Sequence, residues 1–370
     1  MTQDNNAQES LPPVSVLVIA DPGLPSSRTN SSYSEITRRL QKILGRPVLL
    51  ELRTELIKLD PQGTLSLREL KRISNEYPHI DVTIMVTEIP RNIGLRPLQA
   101  ETFLAENVAI VSFPTLGAIN LKKRLTKVLV GCVVRMLEDK GGWEHPAQTL
   151  KWTRRKGDEG AKSYIFLTPT STGGPRTVLG MTIGNNPWRI APKLSTALAA
   201  ASATGAFGIF YSSIWAMSAA LSPLRMTMIA LLSVILMVGW LMFSNRLWDS
   251  PRQESYARAI ALYNMSTVFT LLLCIVALYL SLTVIIFLAA LVIIEPGFMT
   301  QVLGEQATVM NYFDIAWLSA ALGTVAGSLG ASFDSDADIR QLTHGRRERQ
   351  REYVKDEPDE EFSDYTEFNA

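Results

Sequence analysis

"MSTVFTLLLCIVALYLSLTVIIFLAALVII", Met265 to Ile294, contains no charged side chain. A bilayer core needs about 20 apolar residues in a helix, and helices of soluble cores seldom run this long without a polar face. The stretch therefore predicts a membrane-embedded helix. A straight helix of about thirty residues rises about 45 Å, more than the hydrocarbon thickness, so it must tilt, bend or protrude. Ser281 and Thr283 can host a bend by bonding back to helix carbonyls; the alternative is a broken helix with a short re-entrant part.

Three further apolar segments, Leu194 to Ala220, Met226 to Phe243 and Ile315 to Leu329, are each near the length of one span. Positive residues are retained on the cytoplasmic side, so short flanking segments fix the count. Arg189 and Lys193 precede the first span, Arg246, Arg252 and Arg258 lie between the second and third, and Arg340, Arg346, Arg347, Arg349 and Arg351 follow the last. The opposite side holds Arg225 in "SPLR" and no positive residue in "EPGFMTQVLGEQATVMN". Four crossings satisfy this asymmetry, with both termini cytoplasmic; five would export "HGRRERQRE". Trp188, Trp215, Trp240, Trp248, Tyr263 and Tyr312 fall mostly near span ends, where interfacial aromatics gather.

No ionisable residue sits centrally in these spans, which argues against a pump or transporter. Small residues do recur at four-residue spacing: Ala197, Ala201 and Gly205 in the first span, Ser319, Gly323 and Gly327 in the last. Such seams let helix backbones approach closely, either inside one bundle or across a homodimer.

The 370 residues average 47% hydrophobic and 19% charged only because two unlike halves are mixed. Most charge lies before residue 190. A net charge of +1 and the lack of a basic stripe interleaved with aromatics make nucleic acid an unexpected partner. Cys132 and Cys274 fall in different halves, and the three histidines are scattered with no metal-ligand spacing, so neither a disulfide nor a metal site is expected. The polar N-terminus lacks a basic-then-apolar signal, which leaves the first half in the cytosol.

That half alternates strand and helix patterns. "VSVLVIA", "VLLELRT", "IDVTIMVTE" and "NVAIVSFP" read as strands; Thr29 to Leu44, "SLRELKRISNEY" with its capping pair Ser66 and Glu69, and "NLKKRLTKVLVGCVVRMLEDK" read as helices. The pattern predicts a mostly parallel sheet in Rossmann-like layers over residues 14–140, after a disordered lead of residues 1–13. A polar connector follows over 141–193, in which "YIFLTPT" and "RTVLGMTIG" could pair as a hairpin and "STGGPRTVLG" reads as a turn. The membrane helices occupy 194–331. The tail, 332–370, is basic from Arg340 to Arg351, suiting anionic lipid headgroups, and acidic from Asp356 to Glu367.

Ligands of open parallel sheets bind beyond the carboxyl ends of the strands. The candidate crevice is therefore Asp21 and Gly23 after the first strand, Arg53 after the second, Glu88 and Arg91 after the third, and Ser112 and Thr115 after the fourth. The competing reading is local: turns, a helix cap, or an Asp21–Arg91 pair. "ADPGLPSSRTN" carries neither GxGxxG nor GxxxxGK[ST], and no GxSxG elbow occurs, so no nucleotide cofactor is assigned.

"VLVIADPGLPS", "VTEIPR", "VAIVSFPTLGA", "RTVLGMTIGNNPWRIAPKLSTALAAA", "YNMSTVFTLLLCIVALYLSL" and "FDSDADIRQLTHGRRERQRE" together resemble an actinobacterial family of multi-pass membrane proteins with an N-terminal α/β domain. The resemblance runs from Val14 to Arg351 and implies a bacterial plasma membrane. Such proteins are sometimes labelled 5,10-methylenetetrahydrofolate dehydrogenases. This sequence lacks the tyrosine followed four positions later by a lysine that serves the soluble folate dehydrogenases, and the resemblance carries no catalytic residues over. The expectation is a membrane protein whose cytosolic domain binds a ligand or protein in a regulatory or scaffold role. A membrane-tethered enzyme on a folate or nucleotide, using Asp21, Glu88 and Arg91, and a transporter subunit are the alternatives.

Overall fold

The computed structural model describes residues 12–57, 72, 75–94, 96–138, 150–156, 162–187, 195–250 and 257–330. The lead of residues 1–11, the capping pair Ser66 and Glu69, the connector residues 139–149 and the charged tail lie outside them. The chain divides into two compact units between Gly184 and Asn185.

In the first unit, β1 (Val14–Ala20), β3 (Val82–Thr87) and β6 (Val108–Ser112) are continuous apolar runs because both faces of the sheet are covered. One face packs Val16, Val18, Ile84 and Val111 with Ile36 and Leu40 of α1 (Leu24–Leu44) and Leu125 and Leu129 of α2 (Leu121–Glu138). The other face gathers Leu17, Ile19, Met85 and Ile110 with Ile57 and Tyr77. By contrast β2 (Val48–Thr54) alternates buried and exposed residues, as an edge strand can. Helix α1 begins five residues before the predicted Thr29, because Pro25 supplies the φ of a first turn and needs no N–H partner there. It ends at Gly45, whose φ of 63° is the left-handed conformation of a helix stop.

The strands form one sheet in the order β2-β1-β3-β6-β5-β8-β7, with the two-residue β4 (Asn92–Ile93) paired to β5 (Arg96–Phe103). Only β2, β1, β3 and β6 are parallel. β5 runs antiparallel to β6 and to β8 (Lys162–Leu167), and β7 (Thr153–Lys156) runs antiparallel to β8. The sheet is thus mixed, which corrects the mostly parallel expectation. The cause is β5, "RPLQAETF", a strand buried through its middle that carries Gln99, Glu101 and Thr102 and so lacks the hydropathy signature of a core strand. Its polar groups are answered internally: Gln99 Nε2 donates to Thr168 Oγ1 at 2.9 Å, and Glu101 accepts from Arg91 at 2.5 Å.

"YIFLTPT" contributes to β8, whereas "RTVLGMTIG" is helical, within α3 (Thr170–Gly184). "STGGPRTVLG" is therefore no turn: two of its glycines, Gly173 and Gly180, admit neighbours. A Cβ on Gly173 would lie 2.6 Å from Cδ of Pro97, and one on Gly180 would collide with the carbonyl oxygen of Pro114.

The second unit is helical: α4 (Ser195–Phe210), α5 (Ser212–Ala220), α6 (Pro223–Ser244), α7 (Ala257–Ile293), α8 (Pro296–Leu303) and α9 (Val309–Gly330). Among the described residues two helices are long and apolar enough to cross a membrane, α6 and the stretch 260–293 of α7; the α4–α5 pair counts as a third only if taken as one bent span. The long apolar run, read from sequence as one span with a broken helix as the alternative, is one helix, α7; the break falls instead at Tyr211, where α4 and α5 meet at 86°. The indole N–H of Trp215 donates to the carbonyl of Gly208 at 2.9 Å, satisfying backbone at the bend.

Small residues bring α4 and α9 into backbone contact. A Cβ on Gly327 would lie 2.8 Å from the carbonyl oxygen of Ala197, one on Gly323 would overlap that of Ala201, and one on Gly205 would lie 2.6 Å from Ile286 Cδ1. Ser319 packs its side chain on Gly208. The seam read from Ala197, Ala201, Gly205, Ser319, Gly323 and Gly327 is thus occupied within one chain. Substituting Gly323→Val is expected to destabilise the protein by about 1–3 kcal/mol through overpacking. The check is thermal unfolding in detergent, with Gly239→Val as control, because a Cβ there meets nothing within 4 Å.

Candidate functional site

The carboxyl ends of β1, β2, β3 and β6 share one edge of the sheet, and β8 ends there too because β5 is antiparallel to both β6 and β8. The seven crevice residues predicted from sequence lie along this edge, in separate groups.

Asp21 is fully buried at the end of β1. Its Oδ1 accepts the Ile57 N–H at 2.8 Å, and its Oδ2 accepts the Thr87 hydroxyl at 2.9 Å and the Glu88 N–H at 2.8 Å. One carboxylate thereby joins the segments leaving β1, β2 and β3. The backbone repeats the link, with Asp21 N–H donating to Val86 and Glu55 N–H to Ala20. Charge-assisted bonds to backbone donors of this kind hold loops in register. Glu88 enters the group through its backbone. Gly23 stands at the start of α1 with φ of 102°, a conformation that only glycine adopts without strain, and its carbonyl accepts from the N–H of Ser27.

Arg91 belongs to a second group. It is 3% exposed, and its charge is met by Glu101 of β5 at 2.5 Å; Arg155 of β7 reaches the other Glu101 oxygen at 3.6 Å. Burial pulls the Arg91 guanidinium below the usual arginine range while Glu101 opposes that drift. The Asp21–Arg91 alternative of the sequence reading gives way to this pair. Ser112 Oγ donates to the Ile89 carbonyl at 2.8 Å and accepts the Arg91 N–H at 3.2 Å. Thr115 Oγ1 donates to the Ser112 carbonyl at 2.7 Å. These hydroxyls fasten the β3–β4 turn to the end of β6.

Arg53 stands apart and exposed, bonded to Glu51 at 2.7 Å and to the Tyr77 hydroxyl at 3.0 Å, with its guanidinium over the Tyr77 ring. Sequence reasoning missed Glu101. The signal for Glu101 was available: a carboxylate inside a strand-length segment needs a cation, and Arg91 lies across the tight β4–β5 hairpin. It also missed Arg124 and Arg176, whose guanidinium stems flank Gly117 from α2 and α3.

Among the described residues no three His, Cys, Asp or Glu side chains could hold a metal ion. Cys132 is buried in the core of α2, and burial pushes its thiol far above the range of a nucleophile. The described bonds of Asp21, Arg91, Ser112 and Thr115 thus hold loops together, and none of those bonds pairs a nucleophile with a base.

A second polar group lies in the helical unit. Asn185 Nδ2 donates to Thr270 Oγ1 at 2.9 Å, Thr270 Oγ1 donates to the Ser266 carbonyl at 2.7 Å, and Cys274 Sγ reaches the Pro187 carbonyl at 3.4 Å. Asn264 and Asp249 exchange two bonds with each other, at 3.0 and 2.8 Å. The early turns of α7 are thereby tied to the segment that precedes α4 and to the one that follows α6.

These features define a two-unit protein: a mixed α/β sheet with stapled loops, and a helical unit with two or three helices able to cross a membrane. No protein-family model, curated protein or solved structure matches the chain.

Proposed function

We propose that this is a multi-pass protein of a bacterial plasma membrane, with both termini in the cytoplasm, whose α/β unit binds a ligand or protein partner in a non-enzymatic regulatory or scaffold role. The observation that carries the membrane part is α7. Leu271, Cys274, Ile275, Leu278, Leu282 and Ile286 are buried within the chain, yet the opposite face exposes Leu273, Leu280, Val284, Ile285, Leu288 and Val292. A soluble helix presents polar residues outward, and a contiguous apolar face of this length is what hydrocarbon accommodates. α6 repeats the pattern, burying Met226, Ala230, Val234 and Met237 and exposing Met228, Leu231, Ile235 and Leu236.

The non-enzymatic side of the reading is supported by the loop edge, where the side chains of Asp21, Arg91, Ser112 and Thr115 are engaged in holding loops. Arginine placement supports four crossings with head and tail in the cytoplasm. Alkaline phosphatase fused after Glu367 is expected to be inactive and a cytosolic reporter at the same place active; the reverse means an odd number of crossings. Oxidation of methylenetetrahydrofolate with reduction of NADP by the purified chain would overturn the non-enzymatic role in favour of the tethered enzyme.

A further inference from the structure

Helix α2 opens with "LKKR", placing Lys122, Lys123 and Arg124 in its first turn with no acidic residue there. Helix N-termini carry positive partial charge, so three cations at this position are placed against the macrodipole. Arg176, in the second turn of α3, comes to the same spot. A Cβ built on Gly117, just before α2, would lie 2.5 Å from Arg176 Cγ, 3.3 Å from Arg176 Cδ and 3.2 Å from Arg124 Nη1. The absent side chain at Gly117 is what lets the two arginines approach.

Among the described residues neither guanidinium meets a carboxylate. Arg124 Nη1 donates to the Leu116 carbonyl at 2.9 Å, a neutral partner. Arg176 is half-buried, and burial together with the neighbouring Arg124 charge pulls its guanidinium below the usual arginine range. Several other arginines of this unit do meet a carboxylate: Arg91 meets Glu101, Arg53 meets Glu51, Arg39 meets Glu35 and Arg135 meets Glu138. Two like charges brought together beside a cationic helix start need an anion, and planar guanidinium forks fit phosphate oxygens. The location agrees, since it is the edge where β6 and β8 end and α2 and α3 begin.

We propose that Arg124 and Arg176 bind a phosphate group beside Gly117, supplied by a soluble phosphoryl compound or by a lipid headgroup. The two arginines lie outside the crevice residues predicted from sequence, although Gly117 stands at the same strand end as Ser112 and Thr115; the site gives the ligand-binding role of the α/β unit a chemical class, resting on that reading.

The test uses the full chain in nanodiscs. In phosphatidylcholine discs, inorganic pyrophosphate titrated by calorimetry reports a soluble ligand; in discs containing phosphatidylglycerol, phosphorus NMR of immobilised headgroups reports a lipid. Binding in either arm is expected to weaken about tenfold or more in Arg176→Gln and in Arg124→Gln. It should be only partly retained in Arg176→Lys, which keeps the charge but loses the planar fork, and unchanged in Lys127→Gln, one turn along α2. Arg176→Gln breaks no described hydrogen bond, so its fold, checked by circular dichroism, is expected to persist. Absence of binding in both arms, or equal loss in Lys127→Gln, overturns the site. Reporter fusions are unaffected by that outcome, so failure here is distinct from failure of the membrane topology.

Discussion

Asp21→Ala is expected to unfold the sheet unit more readily by about 4 kcal/mol, because it strands several buried donors at once. Ile57 N–H, Glu88 N–H and the Thr87 hydroxyl all lose their acceptor, and the site is closed to replacement water by burial of Asp21 itself. An unpaired buried donor costs about 1–3 kcal/mol, and partial relaxation of the loops keeps the sum below the maximum. Denaturant unfolding followed by circular dichroism gives the size of the loss. Amide exchange gives its place: the Ile57 and Glu88 amides should exchange faster while those of β6 change little. Asp21→Asn should be milder, since one carbonyl oxygen remains to accept. If Asp21 served chemistry instead, Asp21→Asn would leave stability and exchange untouched and remove an activity.

Glu101→Gln is expected to cost about 3–5 kcal/mol, since it leaves the Arg91 charge buried without its counter-ion. Arg155 offers no relief, because it is a second cation that shares the same carboxylate. The double substitution Arg91→Met with Glu101→Leu should recover most of the loss, because a well-packed apolar pair carries no desolvation penalty. Thermal unfolding of the three proteins checks this; equal stability of Glu101→Gln and the parent would mean that the pair is solvated in solution.

These two predictions also show how much of the site was legible in advance. Asp21, Arg91, Ser112 and Thr115 could be found because the end of a β-strand is marked in sequence by an apolar run meeting Pro, Gly or a polar residue. What they do there could not be read. Asp21 acts on residues far along the chain, at 57, 87 and 88, and Arg91 acts on a carboxylate in a strand that had gone unrecognised. Arg53 is marked in the same way as the others yet, among the described residues, bonds to Glu51 and Tyr77 alone, since β2 is an edge. The pair at Gly117 was invisible for a different reason: Arg124 and Arg176 lie on separate helices, and only the placing of β8 beside β5 brings the second helix to the first.

Hydropathy alone fixed the uncharged length of α7, the apolar runs of β1, β3 and β6, and the division into a charged half and an apolar half. Those properties depend on composition over a short window, which burial on both faces or contact with lipid imposes directly on the residues involved. Tertiary structure decided the mixed sheet, the break at Tyr211 and the partner of each buried charge. A strand such as β5 can carry Gln99 and Glu101 into the interior because Thr168 and Arg91 meet them there. Polar burial is permitted by a partner distant in sequence, and no local pattern records that partner.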